Sequence, residues 1–240
     1  TSSRTGLVRK QGTGNLTFSG SNAFTNQYTD FAVAGGMLIV ANTNSNGAIS
    51  DYNAITVSAG GTLASDATKR SLVGNSQTVN ATTGDITGGA NSNGFIATTA
   101  GATSVIDPTG TFALTQLEAQ SGLTIKIDSA ADRLSLYTLT GTTTAGGFRI
   151  DLTGFTGIAD NTTYTVLSWI SGSVVDLTDF SGVLGSGKAM NSSFGTGGFQ
   201  TVTNAGVTSL QLQVVPEPAT LALAAGAGAF LVLIRRRRRS

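Results

Sequence analysis

Cysteine and histidine are absent from all 240 residues, and each absence removes a class of chemistry. Without cysteine there are no disulfides and no thiolate nucleophile, so stability must come from buried apolar surface. Without histidine the chain lacks the commonest general base and the commonest transition-metal ligand. Charge is also scarce, at 11% of residues, and its balance misleads. Five of the 14 basic residues form one block at the extreme C-terminus, and residues 1–215 carry nine Lys and Arg against twelve Asp and Glu, a net −3. That excludes the basic patch or stripe that nucleic-acid binding requires.

What is abundant is glycine, with 32 residues, accompanied by Ser, Thr and Asn. Thr, Val, Ile and Phe recur between them in short alternating runs, a pattern of strands separated by tight turns. A disordered Gly/Ser/Thr linker would lack such alternation. The length suits one large all-β domain or two small ones.

In the first half the units repeat. Ala34-Gly35-Gly36-Met37-Leu38 returns as Ala59-Gly60-Gly61-Thr62-Leu63, an offset of 25 residues, and no third copy is found beyond residue 70. A period in the twenties built from short strands predicts a β-solenoid, each coil covering the apolar face of the next. The Gly-Gly pairs are expected at corners with positive φ. From about residue 120 the alternation is longer and cleaner. Leu123, Ile125 and Ile127 share a face, as do Leu134 with Leu136, Phe148 with Ile150 and Leu152, and Leu210 with Leu212 and Val214. Tyr164 and Val166 are placed on one face, and Thr165, Leu167 and Trp169 on the other. These strands are either larger coils of the same solenoid or an antiparallel cap over its open end.

The C-terminus is the most specific segment. Val214-Val215-Pro216-Glu217-Pro218-Ala219-Thr220 leads into a run without charge from Pro218 to Ile234, closed by Arg235, Arg236, Arg237, Arg238 and Arg239. As a helix, residues 218–234 would be roughly 25 Å long, near the lower limit for a hydrocarbon core of about 30 Å. The arginine block predicts a membrane stop with its charges on the cytoplasmic side, so residues 1–215 are expected outside. The two prolines keep any helix from continuing upstream and leave an extended, accessible segment at the membrane surface. The first residues, Thr1-Ser2-Ser3-Arg4, contain no apolar targeting stretch, so a preceding export segment is expected.

These residues resemble the PEP-CTERM sorting signal. The resemblance implies recognition of Pro216, Glu217 and Pro218 by an exosortase, a membrane-embedded cysteine protease-transferase, and removal of the tail. It further implies hosts that make extracellular polysaccharide. A second stretch, Leu7 to Asn22 with Lys10, Gly12-Thr13-Gly14 and Ser19-Gly20-Ser21-Asn22, is similar to the autotransporter-associated β-strand repeat. The similarity extends through Val33–Leu38 and Val57–Leu63 and departs at Thr25–Tyr28. It implies a right-handed parallel β-helix.

The chemistry of an enzyme is hard to assemble from what remains. Asp128 with Asp132, and Asp176 with Asp179, are the nearest carboxylate pairs, and Glu118 stands apart. They read as turn formers rather than as a glycosidase pair. No calcium loop or phosphate-binding loop is present, and Trp169 and the phenylalanines read as core. No catalytic, cofactor or metal residues are therefore expected. The expected fold is all-β: a solenoid with the β-strand repeat over 1–120, further coils or a cap over 121–215, and the sorting segment 216–240 with one transmembrane helix over 218–234. The expected role is an exported structural or adhesion protein, with an exosortase and the membrane as partners. The alternative is a β-helix that binds or degrades extracellular polysaccharide.

Overall fold

A computed structural model describes residues 6–20, 29–42, 54–66, 69–72, 77–89, 95–98, 104–118, 122–140, 147–172, 176–185 and 187–217. Among these the chain is mostly β, and the one helical element is a 3-10 turn at Leu177–Asp179.

The first six strands are β1 (Gly6–Lys10), β2 (Asn15–Gly20), β3 (Thr29–Val33), β4 (Gly36–Asn42), β5 (Ala54–Val57) and β6 (Gly61–Ser65). They alternate between two sheets. Each pairs in parallel with the strand two places further on, so Val8, Phe31 and Ile55 stand in register in one sheet, and Leu16, Leu38 and Leu63 in the other. Parallel neighbours need a crossover, and here the strand of the opposite sheet supplies it. The 25-residue offset in the sequence is the register itself: Gly36 lies beside Gly61 and Leu38 beside Leu63.

The corner glycines serve differently in the two copies. Gly36 has φ +64, whereas in the next copy the positive φ falls one residue earlier, at Gly60 (φ +78). Gly61 is required for another reason, because a Cβ there would run into the backbone carbonyl of Val33.

An excursion follows. β7 (Lys69–Leu72) and β10 (Phe95–Thr98) both lie along one edge of β12 (Thr111–Glu118), β7 against Thr111–Leu114 and β10 against Leu117 and Glu118. Together they fill one rung of the first sheet. Between them, β8 (Gln77–Val79) and β9 (Ile86–Gly89) form an antiparallel hairpin. Ile86 of the hairpin packs with Ala113, Val79, Tyr137 and Ile170 in a small satellite core. Arg133 fixes the turn by donating through Nε and a terminal nitrogen to both carboxylate oxygens of Asp85, each at 3.0 Å.

Parallel stacking then resumes through β11 (Ser104–Asp107), β13 (Leu123–Lys126), β15 (Phe148–Leu152) and β17 (Phe180–Leu184) in the second sheet. β14 (Arg133–Thr140) and β16 (Thr163–Gly172) continue the first. Pairing runs across residue 120 without a break, since β12 is bonded to β14. In the second sheet the register builds a column of aliphatic side chains: Leu16, Leu38, Leu63, Ile106, Ile125 and Ile150, ending at Gly182. Leu38 to Ile150 are buried in one continuous core. Phe148 and Phe180 stack beside it with ring centroids 5.1 Å apart.

The last strands reverse direction. β20 (Val207–Pro216) runs antiparallel to β16, and its other edge takes β19 (Phe199–Asn204) and β18 (Lys188–Met190), both antiparallel. The alternation predicted for residues 164–169 is interrupted here. A register shift between Thr165 and Leu167 puts Tyr164, Val166, Leu167 and Trp169 all into the core. A β-bulge adds one unpaired residue and re-aims those after it, which strict period two cannot anticipate.

Candidate sorting site

The sorting segment begins inside the fold. Val214 is buried in the core, and its carbonyl accepts from the Asn161 N–H at 2.8 Å. On the opposite edge β18 pairs Met190 with Val214, Ala189 with Val215 and Lys188 with Pro216. The Asn191 N–H donates to the Gln213 carbonyl at 2.9 Å and the Glu217 N–H to the Gly187 carbonyl at 3.2 Å. In an antiparallel ladder hydrogen-bonded pairs alternate with non-bonded ones. Pairs 191/213 and 187/217 are therefore bonded, and Lys188/Pro216 is a non-bonded position. Pro216 has no N–H, and the ladder asks for none at that place.

Polar side chains tighten this end. Gln213 donates through Nε2 to the Asn161 carbonyl at 3.0 Å, and its Oε1 accepts from Asn191 Nδ2. Lys188 Nζ reaches Asp160 Oδ1 at 2.5 Å. Pro216 and Glu217 are half-buried. The segment is extended, as the prolines predict, but it is a rung of the sheet rather than a free approach to the membrane. Pro218, residues 218–234 and Arg235–Arg239 lie outside the described residues. Among the described residues no helix is long and apolar enough to cross a membrane.

Beside this end lies a cleft of about 230 Å³ lined by Leu152, Thr153, Phe155, Ile158, Leu184 and Lys188, together with two glycines. Its only charged lining residue, Lys188, is already engaged by Asp160.

The carboxylates singled out in the sequence organise turns. Asp132 is buried and accepts from the Gly110 N–H at 2.7 Å and the Asp128 N–H at 3.2 Å. Asp128 Oδ2 accepts from Lys126 Nζ at 3.4 Å, and Lys126 also holds Asp107 at 3.1 Å. Burial opposes the charge on Lys126, but the two carboxylates outweigh it and its pKa is raised. Asp176 caps the 3-10 turn by accepting from the Thr178 N–H at 2.9 Å, which lowers its pKa, while burial raises that of Asp179. Glu118 lies at the end of β12, away from both pairs in sequence. Among the described residues no three Asp or Glu side chains are grouped to hold a metal ion. The partner strand β18 carries no sequence signal, because three residues, Lys-Ala-Met, are too few to show a periodicity.

Comparison with curated proteins and with solved structures gave no match. Comparison with protein families gave one finding, confined to about a tenth of the chain. Residues 214–239 match the PEP-CTERM protein-sorting motif, which implies export, recognition by an exosortase and a cell-surface or extracellular destination.

Proposed function

We propose that this chain is a non-catalytic structural or adhesion protein of the cell surface or extracellular matrix, built on a right-handed parallel β-helix and released from a transient membrane anchor by an exosortase. The observation that carries the reading is the sorting motif at residues 214–239, whose first three residues are the end of β20. The helix over 218–234 holds the chain in the bilayer, with Arg235–Arg239 on the cytoplasmic side, until the tail is cut.

Support for the β-helix comes from the alternation of strands between two sheets, with parallel, in-register pairing of every second strand through β1–β6 and again through β10–β17. Crossovers between parallel strands of one sheet are right-handed in about 98% of cases, which favours that hand. The first coils carry the autotransporter-associated repeat in this reading, with β1 and β2 as its Leu-Lys and Thr-Leu strands. A non-catalytic role is supported by Asp132, both of whose oxygens are committed to backbone N–H groups, and by Asp176, whose Oδ1 caps a turn.

Mass spectrometry of the mature protein tests the processing. The expected C-terminus lies at Pro216–Pro218, and alanine at Pro216, Glu217 and Pro218 should leave the tail attached. An intact Arg235–Arg239 block on the mature wild-type protein would refute it. Turnover of any extracellular polysaccharide that is lost on Asp132→Asn would refute the non-catalytic role.

A further inference from the structure

We propose that β18 is a clip that holds Val214 to Pro216, the start of the sorting segment, in the sheet, so that cutting requires β18 to open. The inference rests on the exosortase reading and adds a control step to it. Proteases read a substrate as an extended strand whose backbone is free to pair with the enzyme. Here that backbone is already paired. β18 covers Val214 to Pro216, and the Gly187 carbonyl takes the Glu217 N–H at 3.2 Å. No spacer separates the fold from the motif, because Pro216 is itself the last residue of β20.

The geometry also shows how the clip is fastened. Gly182 ends the aliphatic column of the second sheet, in register with buried Ile150. Where its side chain would stand, the thioether of Met190 is packed: a Cβ on Gly182 would lie 2.7 Å from Met190 Sδ. Met190 also covers Gly198, whose Cβ would lie 2.8 Å from Met190 Cβ. The end of the clip is thus seated by one flexible side chain on two glycines, and its start by the Lys188–Asp160 ion pair. Three residues in a terminal ladder form a small opening unit, drawn from the low-stability end of the fold. When such opening is fast, cutting follows the population of the open form. The strength of the clip therefore sets how long the anchored form persists.

Three prolines, Pro108, Pro216 and Pro218, make a direct probe possible. Purified full chain is treated with a post-proline endoprotease that accepts intact proteins; Pro108 is buried and reports on the body. Two variants are compared with wild type: Met190→Gly, which unseats the clip, and a Gly-Ser-Gly insertion between Val215 and Pro216, which carries the motif beyond it. Both should be cut after Pro216 roughly fivefold faster or more while Pro108 stays protected, and both should shorten the life of the tail-bearing form in the exporting cell. Equal rates for wild type and the insertion, or no change on Met190→Gly, would overturn the clip. Faster cutting in vitro with unchanged tail removal in cells would equally overturn it as a control step. Failure of the exosortase reading shows separately, as tail removal that survives alanine at all three motif positions.

Discussion

Lys10 offers the sharpest test of how the first strands are held. It is 9% exposed, yet its hydrogen-bond partners among the described residues are carbonyls, not carboxylates: Nζ donates to the carbonyls of Gln11 and Gly12 at 2.9 Å and of Gly35 at 3.0 Å. The first two acceptors belong to its own turn and the third to the turn between β3 and β4. One ammonium thus joins two stacked corners, and Gly36 is glycine partly because a Cβ there would press on the same Nζ. Lys10→Met keeps the shape of the stem and removes the three donors. Hydrogen bonds to a charged group are worth about 1.5–3 kcal/mol each. Gln11 and Gly12 are exposed and will rehydrate, whereas Gly35 is half-buried and keeps most of its loss. Releasing the ammonium from its partial desolvation returns some free energy. The net expectation is a loss of about 2–3 kcal/mol. Because elements at the end of a fold open locally first, the loss should appear first as faster hydrogen exchange at the Ala34 N–H, which donates to the Lys10 carbonyl at 2.9 Å. Urea unfolding of the same variant gives the total. Stability within about 0.5 kcal/mol of wild type, the ordinary range of a surface substitution, with unchanged exchange at Ala34 would refute the reasoning.

Other expectations concern the body of the fold. Ile125→Ala opens the middle of the aliphatic column, where neighbours in register cannot collapse inward, and should cost about 2–5 kcal/mol by denaturant unfolding. Ala205 sits at φ +49 and precedes Gly206 at φ +82 in the β19–β20 turn. Ala205→Gly should raise stability by about 1 kcal/mol, read as a higher urea midpoint, since only glycine takes that conformation without strain. Burial works to raise the pKa of Asp151, but the Thr153 hydroxyl and amide, Arg149 and Lys126 outweigh it and the pKa is lowered below 3.8. Its stabilisation is complete above that unfolded value and is lost as pH falls through the folded one. Asp151→Asn should therefore flatten the dependence of unfolding on pH below about 4, and an unchanged slope would refute it. Lys126 works in the opposite direction: its contribution is complete below 10.5 and fades as pH rises through its higher folded value.

The legible parts of the sequence are those where one residue type had one reason to be there. Leu38 and Leu63 repeat because the same column needs them, and their offset of 25 residues is the register step between β4 and β6. Leu210, Leu212 and Val214 alternate because one face of β20 meets the core. Trp169 is core, as its surroundings suggested. Other features have several solutions and so left no pattern. Register steps change from 19 residues between Ile106 and Ile125 to 33 between Leu136 and Trp169, which hides the later strand pairings from a fixed-period search. The β8–β9 hairpin depends on distant partners, Asp85 on Arg133 and Ile86 on Ser135, whose hydroxyl accepts the Ile86 N–H at 2.9 Å. The sorting motif was plain from its residues, but its capture by β18 was not, since backbone pairing is indifferent to side-chain identity.

The rung shared by β7 and β10 has an architectural implication. The strand on that level is cut in two, and the β8–β9 hairpin from between the halves stands to the side, against β14 and β16, while the stacking of the sheets goes on. A tower assembled this way can grow balconies. Any segment grafted between Leu72 and Phe95 in place of the hairpin would be displayed laterally, while the column from Leu16 to Ile150 continues past it unchanged.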